Sequence, residues 1–128
     1  MRGHTLDKAF RERLMLAVTA VNGCTYCSYY HAKQALLAGL TSDEIDILLA
    51  GTVENVVEGE RPALLYAQHW AETAGSPDAL ARAKLLEQYS AETVQNIELT
   101  LQIIQMGNLL GNTFDFFRYR LSFGRVGA

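Results

Sequence analysis

Apolar residues recur along most of the chain at intervals of three and four positions, and alternation of the strand type is scarce. Glycine, proline and capping residues interrupt this pattern at regular intervals. The predicted helices cover about residues 6–21, 24–39, 41–50, 62–75, 76–89 and 91–121, with a weak segment at 51–60. We therefore expect an all-α fold, a compact bundle of about six helices that forms a single domain over residues 1–128.

Three hydroxyl residues mark where helices should begin. Thr5, Thr41 and Ser90 are the predicted N-caps, because their hydroxyls can accept hydrogen bonds from the first turn of a helix. Thr41 and Glu44 together have the spacing of a capping box. Asn22-Gly23 should end the first helix and turn the chain into the second.

The last predicted helix is apolar around most of its circumference. Its apolar residues are Ile97, Leu99, Leu101, Ile103, Ile104, Met106, Leu109, Leu110, Phe114, Phe116 and Phe117. A central core helix and a subunit interface both explain this pattern, and the two can hold together. We expect a homo-oligomer on this ground. Unbroken, the helix would be about 46 Å long, so we expect a break or bend around 107–111. Gly107 and Gly111 in that stretch predict a close helix crossing.

Net charge and hydropathy exclude some classes of binding partner. The net charge is −3 and no basic block occurs, which argues against nucleic acid. No apolar stretch approaches the ~20 residues that span a bilayer, so no membrane partner is expected. The apolar run 14–21 resembles a signal-peptide core, but Asp7 and Glu12 precede it. We expect a cytoplasmic protein, in which a lone cysteine pair is more often catalytic or metal-binding than structural.

The chemistry concentrates at a Cys-x-x-Cys-x-x-x-His motif formed by Cys24, Cys27 and His31. On a helix these three residues share one stripe. A Cys-x-x-Cys pair can cycle between dithiol and disulfide, and such pairs often contain a reactive thiol. A histidine one turn beyond can take or relay the proton. The motif therefore predicts a redox-active thiol site.

Glu12 is a candidate partner of His31. If the first two helices form an antiparallel hairpin about Asn22-Gly23, Glu12 lies near the level of His31 and could fix the tautomer of its ring. The alternative is a solvated charge between Arg11 and Arg13, which is the commoner case for such residues.

The two cysteines should differ in role. The helix N-terminus favours a thiolate at Cys24, whereas the position of His31 one turn away favours proton removal from Cys27. We predict that Cys27 is the deeper thiol and attacks the oxidant. Cys24 would then resolve the sulfenic acid and exchange with the reductant.

Other readings remain open at this point. Cys24, Cys27, His31 and Glu12 could hold zinc, although three ligands along one helix are unusual for a structural zinc site. A structural role is expected for His69-Trp70 in the fourth helix. Asn108 and Asn112 receive no assigned role.

The run Glu12-x11-Cys24-Thr-Tyr-Cys27-Ser-Tyr-Tyr-His31 resembles the signature of the alkylhydroperoxidase D-like branch of the carboxymuconolactone decarboxylase family. The resemblance implies a thiol peroxidase or disulfide reductase with a proton relay from Glu12 through His31 to Cys27. It also implies a homo-oligomer, commonly a hexamer in short members. Better-studied members often have histidine where this chain has Tyr26.

The predicted function is thus reduction of a hydroperoxide or disulfide through a Cys24–Cys27 cycle, with no metal or other cofactor. Electrons would come from a protein dithiol or a dihydrolipoamide-type donor, in antioxidant defence. One alternative is a lactone decarboxylase, although the members that catalyse that reaction lack this cysteine pair. The other is a non-catalytic zinc-binding or redox-sensing module.

Overall fold

The computed structural model describes the backbone of residues 6–53 and 56–121, and the side chains of these residues except 115 and 117–121. The helices are α1 (Lys8–Asn22), α2 (Thr25–Leu37), α3 (Ser42–Leu49), α4 (Arg61–Glu72), α5 (Ala79–Gln88) and α6 (Ala91–Leu121), and a short 3₁₀ turn at Glu58–Glu60 precedes α4. No strand occurs within these described ranges. The prediction of an all-α bundle of about six helices is confirmed.

Helix α1 is the centre of the bundle and packs against α2, α3, α4 and α6. Phe10, Leu14, Leu16 and Val18 on α1 have no exposed surface. A helix covered by four neighbours has little freedom to shift, because closely packed side chains interlock. A functional side chain on α1, such as Glu12, is therefore held in a fixed position.

Two of the predicted helix starts are confirmed. The Thr41 hydroxyl accepts a hydrogen bond from the backbone N–H of Glu44 at the start of α3, at 3.1 Å. The Ser90 hydroxyl accepts one from Thr93 N–H at the start of α6, at 3.2 Å. Each cap satisfies a backbone donor that a helix start otherwise leaves without a partner.

Two other helix starts, those of α1 and α5, differ from prediction. The carboxylate of Asp7 caps α1 by accepting from the backbone N–H of Phe10 at 2.8 Å, so α1 begins two residues later than predicted. Thr5, the predicted cap, lies outside the described residues. Asp78 likewise caps α5, which begins at Ala79. In both cases the N-cap is an aspartate that lies closer to the apolar residues of the helix than the predicted start does.

Ion pairs of Arg13 connect α1 to α3 and to the turn before α4. Arg13 of α1 contacts Glu44 at 2.6 Å and Glu60 at 3.1 Å. Burial alone would lower the pKa of Arg13, but its hydrogen bonds to these carboxylates and their charges raise it overall. Glu44 therefore completes only half of the predicted capping box, since its carboxylate pairs with Arg13.

Helix α6 runs without interruption from Ala91 to Leu121, so a break around 107–111, one of the two alternatives predicted there, is wrong. Glycine inside a helix costs only about 1 kcal/mol relative to alanine, and packing against α1 and α2 holds the helix through this stretch. One stripe of α6 is buried, including Ile97, Leu101 and Ile104. The exposed apolar residues are Leu99, Ile103, Met106, Leu109, Leu110, Phe114 and Phe116. Phe117 lies outside the described side chains.

Candidate functional site

The turn between α1 and α2 sets up the site. Gly23 adopts a left-handed conformation with φ 71°, and its N–H donates to Thr19 O at 2.8 Å. An L-residue rarely adopts this conformation, so the glycine makes the sharp reversal possible. Cys24 follows in an extended conformation as the N-cap of α2. The predicted antiparallel hairpin of α1 and α2 about Asn22-Gly23 is confirmed.

Cys24 and Cys27 are joined as a disulfide across the first turn of α2, with their Cα atoms 5.2 Å apart. Cys24 Sγ also accepts a hydrogen bond from the backbone N–H of Cys27 at 3.3 Å. This contact puts Cys24 where a helix N-terminus stabilises negative charge, as predicted for a thiolate at this position.

The two sulfurs differ in depth, and the prediction that Cys27 is deeper is wrong. Cys24 has no exposed surface, whereas Cys27 is 6% exposed and lines an open cavity. The N-cap position places Cys24 against α6, while Cys27, one turn further along, faces the opening between α2 and α6. A molecule entering the cavity therefore meets Cys27 first.

His31 and Glu12 form the polar pair of the site. The carboxylate Oε2 of Glu12 lies 2.9 Å from Nδ1 of His31, and the two side chains are only 9% and 14% exposed. Glu12 is therefore not a solvated surface charge. An ionised carboxylate can only accept, so Nδ1 must carry the proton in this contact, and the other ring nitrogen, Nε2, is then the acceptor. This is the tautomer that can take a proton from a thiol.

Cys27 and His31 line a common cavity of about 670 Å³ between α2 and α6. Its lining residues are Tyr26, Cys27, Tyr30, His31, Gly107, Leu110, Gly111 and Phe114. The tyrosine rings of positions 26 and 30 stack at 6.4 Å, and Tyr30 contacts His31 edge-on at 5.0 Å. The walls are thus largely apolar and aromatic, and His31 is the one lining side chain that can carry a positive charge.

Helix α6 contributes residues that sequence reasoning did not assign to the site. Gly107 O lies 3.6 Å from Cys27 Sγ, where it can accept a hydrogen bond from the thiol of the reduced pair. Asn108 has no exposed surface and hydrogen bonds to Thr19 and Asn22 of α1. The spacing of Gly107 and Gly111 signalled the close crossing of these helices, but not that the crossing lies against the sulfurs.

Other candidate chemistry has a structural explanation. His69 Nε2 accepts from the backbone N–H of Asp78 at 3.0 Å, which helps to set the turn between α4 and α5. Trp70 is 6% exposed and packs in the core, as predicted. Within the described residues, no three His, Cys, Asp or Glu side chains are grouped so that they could hold a metal ion. In the same residues, no helix is long and apolar enough to cross a membrane.

Comparison with known proteins agrees with the motif and the fold. The sequence model of the carboxymuconolactone decarboxylase family matches residues 1–73, more than half of the chain. None of the curated proteins compared with the chain matches it. Among solved structures, a protein of unknown function from Agrobacterium tumefaciens, described as a candidate antioxidant defence protein AhpD, superposes with a TM-score of 0.76 at 22% identity, over 85% of this chain and 76% of that one. The chain therefore belongs to the carboxymuconolactone decarboxylase family and has an AhpD-like fold.

Proposed function

We propose that the protein is a thiol-dependent peroxidase that reduces hydroperoxides, and related disulfides, through a Cys24–Cys27 cycle. One observation carries the proposal: His31, which is paired with Glu12, and Cys27, which is joined to Cys24, line the same cavity. The likeness to a candidate antioxidant defence protein supports the same class of chemistry.

In the oxidative half-reaction, Nε2 of His31 takes the proton of the Cys27 thiol. The resulting thiolate attacks the terminal oxygen of the hydroperoxide, the O–O bond breaks, and the imidazolium returns its proton to the alkoxide that leaves as an alcohol. Cys27 becomes a sulfenic acid. Cys24 then attacks the Cys27 sulfur, water leaves, and the disulfide forms. Cys27 suits the first step because it lines the cavity.

The reductive half-reaction follows from the depth of the two sulfurs. Because Cys24 is fully buried in the chain, we propose that the reductant attacks Cys27 rather than Cys24. Cys24 then leaves as a thiolate, stabilised by the Cys27 N–H and the start of α2. A second thiol of the reductant resolves the mixed disulfide, which releases Cys27 and an oxidised reductant. A protein dithiol or a dihydrolipoamide-type donor has the two thiols that this step needs, and the reducing cytoplasm is the setting we propose.

The composition of the cavity distinguishes this function from lactone decarboxylation. A carboxylated lactone would need several cationic groups to bind its carboxylates. The cavity offers one imidazole, two tyrosines and apolar walls. Such walls suit a hydroperoxide with an alkyl or aryl group, since burial of an apolar group is favourable.

The test is single-turnover oxidation of the reduced protein by hydroperoxides of increasing apolar size, followed by recovery with monothiol and dithiol donors. We expect loss of both thiols, formation of one equivalent of alcohol, and recovery by dithiols. Bulkier alkyl hydroperoxides should react at least as fast as hydrogen peroxide. Oxidation no faster than that of a free cysteine would contradict the proposal.

A further inference from the structure

Helix α6 approaches the cysteine pair through the backbone of Gly111. A Cβ atom built at this position would lie 2.5 Å from Cys24 Sγ and 2.9 Å from Cys27 Sγ. Non-bonded heavy atoms prefer about 3.5–4.0 Å, so no side chain fits here without movement. Gly107, one turn earlier on the same helix and in the same cavity, would meet nothing within 4 Å.

Two asparagines flanking Gly111 hold α6 at this distance. Asn108 Nδ2 donates to Thr19 Oγ1 at 3.1 Å, and its Oδ1 accepts from Asn22 Nδ2 at 3.0 Å. Asn112 Nδ2 donates to the backbone carbonyl of Asn22 at 3.3 Å. Asn22 lies two residues before Cys24, so these bonds fix α6 relative to the turn that carries the cysteines. Buried polar groups of this kind specify one packing arrangement.

We propose that Gly111 is a positioning residue that sets the dithiol–disulfide equilibrium of Cys24 and Cys27, and that Asn108 and Asn112 brace it. The inference rests on the proposed function only in requiring that the pair can be reduced and reoxidised. Because glycine has no side chain, position 111 leaves the space that the two joined sulfurs occupy.

The direction of the effect follows from the conformational freedom of the two cysteine side chains in each redox state. In the disulfide, the two sulfurs are joined and cannot both turn away from an added methyl group. In the dithiol, each side chain can adopt another rotamer independently. A methyl group at position 111 should therefore destabilise the disulfide more than the dithiol. Overpacking of a close-packed site commonly changes equilibria by tenfold or more.

The experiment is redox equilibration of the full chain in buffers of oxidised and reduced dithiothreitol, with thiol alkylation and mass measurement of the peptide that holds both cysteines. In this exchange the two protein thiols lose two electrons and two protons to the reference disulfide. For Gly111→Ala we expect an equilibrium constant for disulfide formation at least about tenfold below wild type, a shift of about 30 mV for two electrons. The matched control, Gly107→Ala, should stay within about twofold of wild type, because the methyl group meets open space and the backbone carbonyl that contacts Cys27 Sγ is retained.

The outcomes separate the two proposals. Equal constants for Gly111→Ala and Gly107→Ala would overturn the role of Gly111. A wild-type pair that never cycles would overturn the proposed function instead. The double variant Gly111→Ala, Asn112→Ala should recover part of the shift, because α6 can then move away. An unchanged shift in the double variant would remove the brace from the proposal.

A variant that fails to fold is still informative. If Gly111→Ala does not fold, the same change is made in a chain that also carries Cys24→Ala and Cys27→Ala, in which both sulfurs are absent. Folding comparable to that of Gly107→Ala in the same background would support the sulfur contact as the cause. Failure to fold there would show that Gly111 serves the helix crossing alone.

Discussion

Replacement of Glu12 by glutamine tests the polar pair of the site with little change in shape. The carboxylate lies 2.9 Å from Nδ1 of His31 and is largely buried, with its side chain 9% exposed. A carboxylate can only accept a hydrogen bond, so it holds the ring proton on Nδ1. An amide can also present its NH₂ group to Nδ1, which would move the ring proton to Nε2. The imidazole could then no longer accept the proton of Cys27.

The expected loss of rate follows from the strength of this contact. A hydrogen bond to a charged group contributes about 1.5–3 kcal/mol, and one between neutral groups about 0.5–1.5 kcal/mol. The difference of about 1–2 kcal/mol corresponds to roughly 5- to 30-fold, at 1.36 kcal/mol for each factor of ten. Population of the wrong tautomer adds to this loss. We therefore expect Glu12→Gln to slow oxidation by about 10²-fold or more, which is typical for loss of general acid–base catalysis.

The assay is rapid-mixing oxidation of the reduced protein by a hydroperoxide, followed by thiol counting at each time. His31→Gln should show a similar loss, and the double variant should be little slower than either single variant, because the two residues act as one relay. Glu98→Gln is the matched control, since Glu98 is a partly buried carboxylate that pairs with Arg82 and Tyr66 on another side of the bundle. Wild-type rates for Glu12→Gln, or fully additive losses in the double variant, would refute the relay.

Three further predictions concern the thiols, the assembly and the stability. Cys27→Ser should abolish peroxide consumption, while Cys24→Ser should complete one round and stall as a sulfenic acid that a dimedone-type reagent labels; label on Cys24 instead would reverse the assignment. We predict a homo-oligomer, with a hexamer favoured. Leu109 is 56% exposed on the apolar face of α6, so Leu109→Glu should make the oligomer dissociate or aggregate. Light scattering that shows a folded, active wild-type monomer near 14.2 kDa would exclude this. Burial would raise the pKa of Glu98, but its hydrogen bonds from Arg82 and from the Tyr66 hydroxyl outweigh burial and lower it. This carboxylate therefore stabilises the fold above its ordinary pKa of 4.5, and the contribution is lost as pH falls through the lowered value. Denaturant midpoints measured from pH 6 to pH 3 should fall less for Glu98→Gln than for wild type, and identical slopes would contradict the shift.

The site could be predicted where it depends on local geometry. Cys24, Cys27 and His31 lie on one helix, so their spacing alone places them on a common stripe. Glu12 required one further step, because the glycine turn folds α1 back along α2 by a length that the rise per residue fixes. The Asn22-Gly23 signal predicted the hairpin, since a left-handed residue at a helix end is usually glycine. The spacing alone still left a solvated charge as the commoner alternative for Glu12, and only the family resemblance favoured the relay.

The parts that could not be predicted depend on α6. The depth of each cysteine is set by a part of α6 that lies 80 or more residues away in the sequence. Periodicity within α2 carries no information about that contact. The continuity of α6 across its glycines also follows from tertiary packing rather than from helix propensity. Leu101 shows the same limit: its place in an all-round apolar pattern suggested a subunit interface, but it has no exposed surface within the chain itself. The helices packed against α6, chiefly α1, separate its core residues from its exposed ones.

The most direct test of the proposed function is titration of the fully reduced wild-type protein with an alkyl hydroperoxide, followed by intact-mass and thiol analysis. The proposal predicts that one equivalent of peroxide removes both thiols, yields one equivalent of alcohol, and leaves a Cys24–Cys27 disulfide that a dithiol reduces again. Peroxide consumed while both thiols remain free, or an oxidised product that no dithiol can reduce, would contradict it.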